Sequence, residues 1–102
     1  MKLTLVAAAG LGLVACATAL PAVDELALER ARARDPEVTL ADLEAGRTRY
    51  RSACGRCHQV YEPTARTVAE WRHDVAEMSP LAALTPEDQR QILRDLEAFA
   101  RP

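Results

Sequence analysis

Aromatic residues are scarce in this 102-residue chain: one Trp, one Phe and two Tyr, 4% of the whole. Hydrophobic residues make up 49%, but Ala and Leu supply much of that share. A core built from such side chains alone is thin. A domain this small ordinarily needs a staple, such as disulfides, a metal or a large cofactor. Lysine is nearly missing too. Apart from Lys2, every basic residue is an arginine, interleaved with Asp and Glu, and the formal net charge is −2. No basic stripe exists, so the chain lacks the footprint of a nucleic-acid binder. The mixed charges read as solvated helix faces. Cysteines number three, an odd count that does not suit a disulfide scaffold. No stretch alternates with period two, which predicts no sheet. Internal repeats and low-complexity tracts are likewise missing.

What is present begins with a targeting segment. Lys2 forms a positive n-region, and residues 3–14 form a twelve-residue apolar run, too short to span a bilayer comfortably. The pattern predicts export, with no transmembrane helix in the mature part. Leu13-Val14-Ala15-Cys16 looks like a bacterial lipobox. In such signals cleavage precedes the cysteine, which then carries several acyl chains and anchors stably. The rival is cleavage after Ala19, on the small-x-small pattern Ala17-Thr18-Ala19, which would discard Cys16. The expected organisation is a signal peptide over residues 1–15, a lipidated N-terminus and tether over 16–38, and a folded domain over 39–102. Within the tether, Asp24 and Glu25 precede Arg30, Arg32 and Arg34, the order a helix dipole favours. The apolar stripe is weak and Asp35-Pro36 interrupts any helix. A short helix and a flexible spacer both remain open.

The domain reads as all-α, with three main helices. Thr39 is the N-cap of a helix over residues 40–53, with Asp42 three places on; Leu43, Gly46, Tyr50 and Ala53 share one face. Thr67 and Glu70 form a capping box for a second helix that reaches Met78 and stops near Pro80. Thr85, Pro86 and Asp88 open a third, over residues 86–100, whose buried stripe is Ile92, Leu96 and Phe99.

Between the first two helices lies Cys54-Gly55-Arg56-Cys57-His58. This C-x-x-C-H spacing reads as an attachment site for c-type haem. Two thiols three positions apart can each form a thioether to one porphyrin, and the histidine that follows can be its proximal iron ligand. Zinc would need about four ligands, and no second Cys/His pair exists. A thioredoxin-like dithiol belongs beside a βαβ pattern, which is missing. A disulfide over so short a loop would gain little. A haem would also be the staple that the thin core needs.

Gly46, Tyr50 and Cys54, spaced four and four and leading into Cys57-His58, together with Leu96 and Phe99 on the last helix, resemble the class I cytochrome c family. The resemblance covers residues 39–100. It implies a cytochrome c-like fold, with first and last helices crossing at a glycine around one covalent haem c. The implied activity is one-electron transfer, not enzymatic catalysis. The implied partners are redox proteins: a dehydrogenase, an oxidase or another cytochrome. The implied place is the periplasmic side of a membrane, with a lipid anchor at Cys16. Met78 is the methionine available as distal ligand, since Met1 is removed; Val68, Trp71, Val75 and Met78 share a face. His73 competes but lies on the polar side. The family's methionine often directly precedes a proline, whereas here Ser79 intervenes. Pro63 is the candidate to direct a carbonyl at the free nitrogen of His58, with a plain loop proline as the rival reading. Arg66 could pair with a haem propionate. Trp71 could pack on the ring edge or donate its N–H to a propionate. Should Met78 not ligate, the alternative is a gas-sensing or peroxidase-like protein with an open distal site. A structural lipoprotein with an incidental motif is the third reading.

Overall fold

Thr39, Thr67 and Thr85 each start a helix by the same exchange. The Thr hydroxyl accepts the N–H of the residue three places on, at 3.1–3.2 Å. That residue's carboxylate, Asp42, Glu70 or Asp88, accepts the Thr N–H at 2.8–2.9 Å. These reciprocal bonds satisfy donors that a helix N-terminus leaves open. The computed structural model describes Gly10, Gly12 and residues 19–102. It contains α1 (Glu25–Arg32), α2 (Leu40–Arg49), α3 (Val68–Met78) and α4 (Pro86–Phe99), with a π-helical turn at Tyr50–Cys54 and a 3-10 turn at Pro63–Ala65. Among the described residues there is no strand, only an isolated bridge between Thr67 and Arg101. The expected signal peptide and Cys16 lie outside the described residues.

The helix count differs from the three expected. Residues 25–32 form a helix capped by Asp24, whose Oδ1 accepts the Ala27 N–H at 2.9 Å. This helix buries Ala27, Leu28 and Ala31 against Val38, Leu43, Ala98 and Phe99. Leu20 is buried as well, in the cluster of Tyr50, Val60, Trp71, Val75, Ile92 and Leu96. The segment expected as a tether is therefore packed from Leu20 onward. Its apolar stripe is weak in sequence because two of its three buried residues are alanines, which can lie close to α4.

The largest interface joins α2 and α4. It forms on the predicted stripes: Leu43, Gly46, Tyr50 and Ala53 on one side, Ile92, Leu96 and Phe99 on the other, all buried. A Cβ on Gly46 would collide with the Gln91 carbonyl and stand 3.0 Å from the Asp95 Cβ. The close approach that glycine permits is thus real in this fold. Asp95 sits at this crossing only 1% exposed, and its Oδ1 has no hydrogen-bond partner in the protein. Burial pushes its carboxyl up to about 7, opposed by the Arg47 charge and reinforced by Glu44.

The α-helix predicted to continue to Ala53 ends at Arg49 and widens into the π turn. Such turns recur where a helix must re-aim a side chain. Here the last π residue is Cys54. The Gly55 N–H closes the turn on the Arg51 carbonyl at 3.2 Å. A Cβ at Gly55 would strike that same carbonyl, so the first x of C-x-x-C is tightly restricted. After α3 the chain folds back: the Ala82 N–H reaches the Met78 carbonyl and the Leu84 N–H the Ser79 carbonyl, both at 3.0 Å. Ala83 closes this return with a positive φ of 53°.

Candidate functional site

Three pieces of backbone meet at one cleft. The π turn and the loop after it bring Ala53, Cys54, Cys57 and His58. The end of α3 brings Met78, and the return loop brings Leu81 and Ala82. Together they line a cavity of about 120 Å³. A narrower recess continues inward between Tyr50, Val60, Tyr61, Trp71, Val75 and Leu84, and it shares Cys54, His58 and Met78. Its walls are mainly apolar. Arg56, inside the motif, reaches across to the Ala82 carbonyl at 3.5 Å, a long contact between the two lips.

The motif residues differ in exposure. Cys54 is half-buried, Cys57 and His58 are exposed, and both cysteines are free thiols. Burial pushes the Cys54 thiol up, partly offset by the Arg49 charge. That is the reverse of a redox-active dithiol, whose attacking cysteine is held low. Nor do the ligand atoms of Cys54, Cys57 and His58 converge. Among the described residues, the group of three His, Cys, Asp or Glu with atoms within 4.8 Å of one another is His73, Asp74 and Glu77. These three lie at the surface in ordinary ion pairs, His73 with Glu77 and Asp74 with Arg66, each at 3.4 Å. His73 is thus on the polar side, as its helical position predicts, and Met78 faces the cleft. Two thiols thus stand on one lip with an imidazole beside them, and the Met78 thioether lines the cavity from the end of α3.

The surrounding residues depart from expectation. Pro63 is buried, but its carbonyl accepts the Trp71 indole N–H at 2.8 Å. His58 Nδ1 lies instead 2.9 Å from the Gln59 carbonyl. The expected Pro63–His58 contact is therefore replaced, because the 3-10 turn aims the Pro63 carbonyl into the core. Trp71 keeps its place against the recess but has committed its N–H, so it is not a propionate donor; its ring packs edge-on to Tyr50, with centroids 5.8 Å apart. Arg66 does not line the cleft. Its guanidinium pairs with Asp74 and stands over the Tyr61 ring at 5.9 Å.

Five cleft residues escaped the sequence reading, Val60, Tyr61, Leu81, Ala82 and Leu84, and two of them are large and exposed. Tyr61 is 53% exposed on the inner recess, and its carbonyl accepts the Tyr50 hydroxyl at 2.6 Å. Leu81 is 87% exposed on the outer lip. Both lie in loops, where no periodicity marks a residue. The available signal was the rarity of large apolar side chains in the two stretches flanking the motif and Met78. Compared with known families, curated proteins and solved structures, the chain matches none, so the site stands on its own residues.

Proposed function

We propose that this chain is a small exported electron carrier whose redox group is one haem c, attached through Cys54 and Cys57 with His58 and Met78 as axial ligands. The observation that carries this reading is the shared cleft. Met78 is twenty positions from His58 in sequence, yet it lines the same cavity as both thiols and the imidazole. When bound, the haem supplies a one-electron couple, whose potential a His/Met ligand pair raises. The chain's own residues hold and shield it. Cys54 and Cys57 are the covalent anchors, Ala53, Val75 and Leu84 exclude water, and Tyr50 and Trp71 back the recess. With both axial places filled by protein, no position is left for substrate, which argues against catalysis by this domain alone. Its partners are then redox proteins: a dehydrogenase, an oxidase or another cytochrome.

A lipid anchor at Cys16 on the periplasmic side of a bacterial membrane completes the reading. Among the described residues no helix is long and apolar enough to cross a membrane.

Met78→Ala tests the axial assignment. The variant should lose the far-red band of a thioether-ligated ferric haem, and once reduced it should bind carbon monoxide rapidly. The unaltered protein should bind the gas slowly and weakly. A spectrum unchanged by the substitution, or tight gas binding by the unaltered protein, would favour the open-site reading, gas sensing or peroxidase-like activity.

A further inference from the structure

The folded body begins almost at the lipidation site. Leu20 is buried among Tyr50, Trp71 and Ile92, and Arg47 Nη2 donates to its carbonyl at 3.2 Å. From there the chain is committed: Asp24 caps α1, and Ala27 and Leu28 are 0% and 5% exposed. Between Cys16 and Leu20 stand only Ala17, Thr18 and Ala19. A fully extended chain gains about 3.5 Å per residue, so four steps reach about 14 Å at most. The headgroup layer on one side of a bilayer takes about 5–8 Å of that. Less than about 10 Å remains between headgroups and protein.

The chemistry of this end suits such proximity. No charged residue occurs from Ala17 to Val23. Ala19 and Ala22 are exposed, and Leu26, in the first turn of α1, is 53% exposed although it is a large apolar side chain. The nearest charges along the chain, Asp24 and Glu25, are acidic, and the Arg47 guanidinium beside Leu20 is engaged by its carbonyl, so attraction to anionic lipids is not the main drive of the contact.

We propose that this end of the molecule, residues 19–23 and the first turn of α1, rests directly on the bilayer surface. The domain is then docked rather than swinging on a tether, and the orientation of its cleft toward membrane-bound partners is restricted. This inference rests on the lipidation of Cys16 proposed above.

Neutron reflectometry of the mature lipidated protein on a supported phosphatidylcholine bilayer tests it. Protein density should start within about 10 Å of the headgroups and should not retreat when salt is added. Twenty Gly/Ser residues inserted between Ala19 and Leu20, with an r.m.s. span of about 25 Å, should open a solvent layer. A native layer that begins more than about 10 Å from the headgroups would overturn the docking, and a profile that the insertion leaves unchanged would overturn the short linker as its cause. Mass spectrometry of the same sample separates the two ideas. A chain beginning at Leu20 without acyl groups defeats the lipid reading and the docking together, whereas a lipidated chain that stands off defeats the docking alone.

Discussion

At Gly46 a hydrogen stands where any other residue would drive a methyl group into the Gln91 carbonyl. Gly46→Ala should therefore force α2 and α4 apart and cost about 1–3 kcal/mol, read as a lower urea midpoint at unchanged slope. An unchanged midpoint would mean that the helices do not touch there. Opposite it, Asp95 has a folded-state pKa of about 7, above the ordinary carboxylate value. The folded protein then keeps a proton that the unfolded chain releases at about pH 4. The stability that this proton provides is complete below about pH 4 and is lost as pH rises through about 7. Asp95→Asn should flatten that slope and leave the protein about 2 kcal/mol more stable than the native chain near pH 8. Urea titrations of the haem-loaded protein across this window measure it; parallel pH profiles would show that Asp95 does not titrate there. Gly46 was legible because it falls on the Leu43–Tyr50 face. Asp95 was missed because an acidic residue in an amphipathic helix reads as surface, although its spacing of three from Ile92 and four from Phe99 puts it on the buried side. Pro63 was left with two readings because sequence names a carbonyl but not the direction in which a 3-10 turn aims it.

Helices with their own start signals were legible. Each capping box is closed within four residues, so Thr39, Thr67 and Thr85 announce their helices whatever the rest of the chain does. The π turn carries no such mark, and its residues read as a plain continuation of α2. Helix α1 was ambiguous for a different reason. Its value lies in what it covers: Leu28 packs in the cluster that holds Leu43 and Phe99. Leu28→Ala should cost about 2–3 kcal/mol, because it opens a cavity in a site 5% exposed. A loss below about 0.5 kcal/mol, typical of a surface substitution, would return α1 to the status of a spacer.

For the whole molecule, an aromatic-poor core divides into two modest clusters, one around Trp71 and one around α1. Apolar burial on this scale barely offsets chain entropy in so small a domain, so the proposed haem would supply a large part of its interior. Replacing both Cys54 and Cys57 by Ser should leave a chain with little helical circular dichroism; full native helicity in that variant would show that the protein folds without the group. One lip of the cleft was legible in five consecutive residues, and the wall from α3, with Trp71, Val75 and Met78, in one helical face. That Tyr61 and Leu81 flank it was not, because it depends on how the loops after His58 and after α3 fold back. The most direct measurement is pyridine haemochrome analysis of the chain produced with a c-type maturation system. One haem per chain, resistant to acid–acetone extraction, is the expected result. A colourless, well-folded protein with free thiols at Cys54 and Cys57 would contradict it.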